Sequence, residues 1–182
     1  MTTTRTRPRK TVEDCMNLPE GMFAEFIGGE IYRSPSPKDA HQRIVGNLYF
    51  ALRSFVDARG LGAVRTAPDD VHLPSGDVVQ PDVLYIAKAN LGIIRDWIRG
   101  APDLVVEVLS PENAVRDRVV KLDLYANNGV KEYWIVDDAA KSVEIFVLSG
   151  NRYLSDGYFQ KTDAVNSKLL RDLSLPVRDV LA

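Results

Sequence analysis

Two periodicities divide the chain. Between Asp39 and Arg59 the apolar residues Ile44, Leu48, Ala51, Leu52, Phe55 and Val56 recur at three- and four-residue spacing, which puts them on one face of a long amphipathic helix. Gly60 closes it, since glycine takes the left-handed conformation that ends helices without a steric cost. A second helix is predicted from Asn113 or Val115 to Asn127, stopped by Asn128-Gly129. Elsewhere the pattern shortens to alternation or brief apolar runs, so Ala63–Ala67, Val78–Ala87, Leu104–Leu109, Glu132–Asp137 and Ser142–Leu148 read as strands. Two alternating runs within Phe23–Arg33 flank Gly28-Gly29, a tight hairpin signal because both turn positions can take positive φ. Thr11 is an N-cap candidate for a short helix over residues 11–18, halted near Pro19 and Gly21. Asn90–Pro102 reads as a short helix or lid carrying Trp97. This order predicts an α/β (α+β) fold with an N-terminal β-hairpin and a mixed sheet flanked by helices. With no repeat or linker-like stretch, residues 11–182 read as one domain behind a disordered tail over residues 1–10.

Composition narrows the chemistry. At 182 residues and 45% hydrophobic the chain can bury a sizeable core. One cysteine, Cys15, excludes a disulfide framework and cysteine-based zinc sites, and two histidines, His41 and His72, exclude a histidine-rich one. No apolar run is long enough for a membrane span and the N-terminus lacks a secretory core, so a cytoplasmic protein without membrane association is expected. The formal charge of −2 is unevenly spread: residues 1–10 hold four bases and no acid, and the remainder carries −6. Such a body does not coat nucleic acid electrostatically. No phosphate-cradling glycine loop or nucleophile elbow is present.

The strongest local anomaly is Glu107 inside Leu104-Val-Val-Glu-Val-Leu109. Such a run reads as a central strand covered on both faces, where an ionised carboxylate is costly unless a cation compensates it. A buried Arg or Lys and a metal ion satisfy that requirement equally well. Asp82, after Pro81 at the mouth of another apolar strand, is a second misplaced acid, and Gln80 shares its strand face. Two carboxylates from neighbouring strands are the minimum protein contribution to a Mg²⁺ or Mn²⁺ site. Helical spacing lines up Asp117, Lys121 and Tyr125, beside an apolar face of Val119, Leu122 and Ala126. Taken alone, Asp117 and Lys121 form an exposed i,i+4 ion pair.

The ordered string Gln80-Pro-Asp82, Ala101-Pro-Asp-Leu-Val-Val-Glu107-Val-Leu-Ser-Pro111, Arg116-Asp-Arg118, Lys121-Leu-Asp-Leu-Tyr125-Ala and Gly129-Val-Lys-Glu-Tyr-Trp134-Ile-Val-Asp137 resembles the Uma2 family, also called DUF820. The likeness extends upstream through Phe26-Ile-Gly-Gly-Glu30-Ile and His41-Gln and downstream to Leu175-Pro and Val180-Leu. This bacterial group is placed among restriction endonucleases of the PD-(D/E)XK nuclease superfamily. The resemblance implies a restriction-endonuclease-like core, DNA as partner and Mg²⁺ (or Mn²⁺) as cofactor. It implies that Asp82, Glu107 and the carbonyl of Val108 hold the ion, which activates water against a phosphodiester. The superfamily lysine is absent two residues after the acid, where Leu109 stands, and the family's pattern moves that role to Lys121, with Arg116 and Arg118 as competitors for the phosphate. Glu30, His41, Gln80 and Tyr125 are accessory candidates, whereas His72 and Trp97 read as structural or lid-associated and Trp134 as core. Two alternatives stay open: a catalytically silent scaffold that binds nucleic acid or protein, with homodimerisation a candidate assembly, and a metal-free core in which Glu107 and Lys121 pair for structure alone.

Overall fold

The computed structural model describes residues 9–33 and 36–182; most of the expected tail, residues 1–8, and Ser34-Pro35 lie outside them. The tail's last residue, Lys10, donates its backbone N–H to the Gly29 carbonyl at 3.2 Å. Helix α1 (Val12–Met16) opens on Thr11 with a reciprocal capping box to Asp14. Strands β1 (Ala24–Ile27) and β2 (Glu30–Arg33) form the expected hairpin, with φ of 62° at Gly28 and 88° at Gly29. Helix α2 (Asp39–Arg59) buries Ile44, Leu48, Leu52 and Val56 completely and ends on left-handed Gly60.

The predicted strand over Val78–Ala87 is two strands in two different sheets. After β3 (Gly62–Thr66) and β4 (Val71–His72), the chain makes β5 (Val78–Val79), crosses at Gln80-Pro81-Asp82 and continues as β6 (Val83–Ala87). Pro81 has no N–H to give to a ladder, which makes this tripeptide the natural place to leave one sheet for another. Gln80 and Asp82 therefore do not share a strand face. They sit at the seam between sheets.

A 3₁₀ turn (Lys88–Ile93) and β7 (Ile98–Arg99) occupy the segment expected as a short helix or lid. The central strand β8 (Leu104–Val108) is buried throughout, as predicted. The expected uniform second helix is not one: Arg116–Val120 is a π-helical segment, and regular α3 begins only at Lys121 and runs to Asn127. Strands β9 (Glu132–Asp137), β10 (Ser142–Ser149) and β11 (Arg152–Gln160) follow, then the small pair β12 (Ala164–Asn166) and β13 (Ser174–Pro176), and α4 (Val177–Val180).

The main sheet has the order β11-β10-β9-β8-β6-β3 and is mixed, with β8 and β9 parallel and the other neighbours antiparallel. A second sheet, β2-β1-β5-β4-β7, joins the hairpin to the seam. Alternation along β8 then separates two cores. Leu104, Val106 and Val108 pack with α2 and the C-terminal elements, whereas Val105 points to a second core with Tyr125, Tyr133, Ile135 and the small sheet's Ile27, Val71 and Val79. Glu107 has the parity of Val105 and belongs to that second side.

Leu48→Ala, in the fully buried stripe of α2, should cost about 2–5 kcal/mol in chemical denaturation, from lost apolar burial plus an unfilled cavity. Phe50→Ala, at 74% exposure on the same helix, should stay within about 0.5 kcal/mol.

Candidate functional site

A cleft of about 730 Å³ opens where the seam, the end of β8, the first turn of α2 and the π-helical segment converge. Asp82, Glu107, Val108, His41, Gln80, Arg116, Asp117 and Lys121 all line it, together with Glu25 of β1. At its centre the Lys121 ammonium, 3% exposed, lies 2.8 Å from Glu107 Oε1, 2.8 Å from Glu25 Oε1 and 3.5 Å from Asp117 Oδ1. The Asp117–Lys121 pair is thus buried inside the protein and not on a solvated helix face. The π-helical turn reshapes that helix: Val119 is 58% exposed instead of completing an apolar stripe, while Asp117 and Lys121 are turned inward. Single π turns inside helices are frequent at functional sites.

Other groups fix the acids. Tyr125 donates its hydroxyl to Glu107 Oε1 at 2.7 Å, so Glu107 Oε1 serves two donors at once. Asp82 Oδ2 accepts the Val108 N–H at 2.7 Å and faces His41 Nε2 at 3.2 Å. The Gln80 N–H donates to Glu25 Oε1 at 3.0 Å and its side-chain amide to Asp70 at 2.7 Å. Arg116 lies 3.6 Å from Glu25 Oε2 and over the Tyr32 ring at 5.1 Å.

The structure does not bring every predicted residue here. Glu30 is exposed at the hairpin turn, accepts the Tyr32 hydroxyl at 3.0 Å and does not line the cleft. Arg118 points to Asp137 and Glu144 and does not line it either. The hairpin acid that does reach the cleft is Glu25, which sequence reasoning missed. Its signal was available: Glu25 lies in Ala24-Glu-Phe-Ile27, an acid in an apolar strand by the same criterion that singled out Glu107. His72 packs against Trp97 with ring centroids 5.2 Å apart.

Electrostatically the cluster is unbalanced. With every carboxyl ionised and His41 neutral, Glu25, Asp82, Glu107 and Asp117 face the fixed cations Lys121 and Arg116, a formal excess of two negative charges in a largely buried space. Burial pushes the Glu107 carboxyl well above the usual range; Lys121 opposes the shift, and Asp117, Asp82 and Glu25 add to it. Asp117 is raised the same way. Burial by itself would lower Lys121, but Glu107, Glu25 and Asp117 outweigh it and hold the ammonium protonated. For His41 too, burial is outweighed, by the Asp82 hydrogen bond and charge and by the Val108 main chain, and its pKa is raised.

Six buried side-chain N or O atoms lack a hydrogen-bond partner among the described residues, and four belong to Glu25, His41, Arg116 and Asp117. The two carboxylate oxygens among them face cations without a hydrogen bond, Glu25 Oε2 at 3.6 Å from Arg116 and Asp117 Oδ1 at 3.5 Å from Lys121. Oxygen donors and a formal excess of negative charge fit a hard divalent cation. Among the described residues no three Asp, Glu, His or Cys side chains form a ready-made cage. Any ion held here would draw the rest of its shell from water and substrate oxygens, as Mg²⁺ does.

The Uma2 family model, "Putative restriction endonuclease", matches residues 12–178. The chain belongs to the Uma2 family. Among solved structures, a chain from Anabaena variabilis ATCC 29413, titled a putative nuclease belonging to DUF820, superposes with a TM-score of 0.79 at 18% identity, over 94% of this chain and 97% of that one. At that identity the likeness establishes the fold. No curated protein matches the chain. The restriction-endonuclease-like architecture expected for Uma2 members is thus the observed one, and among the described residues no helix is long and apolar enough to cross a membrane.

In metal-free buffer, Lys121→Ala should destabilise the protein by about 3–5 kcal/mol near pH 8, because it strands carboxylates that are already buried. Glu107 and Asp117 have folded pKa values above their unfolded ones, so between those values the folded state holds protons that the unfolded chain has released, and stability falls as pH rises. Denaturation curves of the variant should accordingly show a smaller loss near pH 5 than near pH 8.

Proposed function

We propose that this Uma2 protein is a Mg²⁺-dependent endonuclease that hydrolyses DNA phosphodiester bonds, with residues 11–182 acting as one catalytic unit and Mn²⁺ able to replace Mg²⁺. The observation that carries this reading is the group of four carboxylates, Glu25, Asp82, Glu107 and Asp117, that lines one cleft with a formal excess of negative charge over Lys121 and Arg116. Asp82, Glu107 and the Val108 carbonyl would hold the ion. When bound, such an ion neutralises charge on a phosphate oxygen and makes a water nucleophilic near neutral pH.

The protein's own part is positioning and charge. The Val108 N–H and His41 hold Asp82 in one orientation, and Lys121 with Tyr125 does the same for Glu107. Lys121 stays protonated among its three acids, so it is a fixed positive charge for the charge developing at phosphorus. From α3 it comes within 2.8 Å of Glu107, and in this reading it takes the part that the superfamily pattern gives to a lysine on the acid's own strand, where this chain has Leu109. Arg116, at the wall of the cleft, is the phosphate-contacting cation in this reading, and Gln80 ties Glu25 to the seam. Arg118, committed to Asp137 and Glu144, has no such part.

One observation favours a second reading. Lys121 Nζ already sits 2.8 Å from both Glu25 and Glu107, so the ammonium can serve as the cluster's cation in a catalytically silent scaffold. Calorimetric titration with Mg²⁺ separates the two: the nuclease binds the ion and loses it in Asp82→Ala and Glu107→Ala, and the silent scaffold does not bind it.

On supercoiled, linear duplex and single-stranded DNA, cleavage should require Mg²⁺ or Mn²⁺, vanish with EDTA and vanish in Asp82→Ala and Glu107→Ala. Lys121→Ala should lower kcat by about 100- to 1,000-fold, the range for removing one stabilising charge or donor. Glu30→Ala, away from the cleft, should stay close to the unsubstituted protein. Persistence of cleavage in both acid variants would show the site to be elsewhere.

A further inference from the structure

A second, smaller pocket of about 370 Å³ lies beside the cleft, between α1, the chain entering β1 and the loops that lead into β4 and β7. It is continuous with the cleft, since Phe23, Pro68 and Gln80 line both. Its volume is in the range of about 300–1,000 Å³ that takes small organic groups, and far too small for duplex DNA.

The walls of this pocket are of two kinds. Met22, Phe23 and Trp97 supply apolar surface and remain 46%, 48% and 38% exposed, which leaves large side chains uncovered at one spot. Trp97 is held by two neighbours: the His72 ring lies 5.2 Å from it and the Arg99 guanidinium 5.1 Å from its ring centre. An indole and an exposed phenyl ring lining one pocket offer stacking surfaces, and stacking is how proteins hold unpaired bases. The remaining wall carries the carboxylates of Asp69 and Asp70, and Asp70 is fixed by the Gln80 side-chain amide at 2.7 Å. Carboxylates repel a phosphate and accept from an exocyclic amino group, the pairing that reads cytosine N4 in DNA complexes.

We propose that this pocket receives one unpaired, amino-bearing base of the substrate strand, stacked on Phe23 and Trp97 and read by Asp69 and Asp70, while the adjoining cleft holds the backbone. This rests on the nuclease reading for the identity of the strand and adds a substrate class to it: the preferred substrate has an unpaired nucleotide beside the scissile phosphate. Gln80 couples the two sites, since its backbone N–H holds Glu25 of the cleft and its side chain holds Asp70 of the pocket. Thymine, with a carbonyl where cytosine has an amino group, meets like-signed acceptors there and is disfavoured.

Trp97 reports on occupancy directly. The only other tryptophan, Trp134, is fully buried, so quenching of emission by a stacked base comes from Trp97. The full-length protein in EDTA, where no cleavage occurs, should be titrated with short oligo(dC), oligo(dT) and a duplex. Oligo(dC) should quench and bind at least fivefold more tightly than oligo(dT), the lower end of what one base contact contributes, and the duplex should be silent. Trp97→Phe should abolish the signal, Phe23→Ala should weaken oligo(dC) binding at least fivefold, and Asp69→Ala should erase the preference over oligo(dT). Equal binding of the two oligonucleotides, or a silent Trp97 with all of them, overturns the pocket. If metal-dependent cleavage persists beside a silent Trp97, only the pocket is lost. Quenching with the stated preference, but without cleavage under any metal, upholds the pocket and removes the catalytic reading instead.

Discussion

The ammonium of Lys121 is the point on which the architecture turns. A lysine at 3% exposure is not tolerated in an apolar interior, and here three carboxylates from three separate elements supply what water would. Glu25 comes from the hairpin, Glu107 from the central strand and Asp117 from the π-helical turn just before the lysine itself. Those elements cannot shift apart without exposing an uncompensated charge. The same charge that ties the small sheet and the helix to the main sheet also stands at the wall of the cleft, so structural and chemical demands meet on one atom.

The seam at Gln80-Pro81-Asp82 does the complementary work for the backbone. By ending β5 in one sheet and starting β6 in the other, it presents Asp82 at the open end of β6, with the Val108 N–H and His41 holding it. Strict alternation along β8 assigns every second residue to the α2 core and leaves Glu107 to the other side, where Tyr125 and Lys121 are. The cleft exists because two sheets and two helices meet there without closing. In the proposed function its excess of negative charge is compatible with a nucleic-acid substrate, since a divalent cation in such a cluster would change the local sign.

Much of the fold was legible because it follows from periodicity. The hairpin at Gly28-Gly29, the long helix closed by Gly60 and the fully buried central strand all appear where the pattern places them. Glu107 and Asp82 were legible for a different reason: a carboxylate in or beside an apolar run is an energetic inconsistency that local structure cannot resolve. Glu25 met the same criterion but sat in a strand of only four residues, too short for its apolar surroundings to stand out against the more exposed Glu30 of the same hairpin. The π turn at Arg116–Val120 has no sequence signature of its own. Regular helical spacing therefore gave Asp117 and Lys121 a solvated i,i+4 arrangement, when one additional residue in the turn faces both inward.

Residue order alone was enough for the family, the hairpin, the long helix, the central strand and the two acids that violate their apolar context, since these depend on local pattern and on the cost of burying a charge. Which cation answers those acids, which hairpin glutamate joins them, and the division of one apolar run between two sheets were decided only by the tertiary structure. Those outcomes turn on contacts between segments as far apart as Glu25 and Lys121. Local propensity carries no information about such contacts, because nothing in a residue's neighbours along the chain specifies what will lie a few ångströms away once the chain has closed on itself.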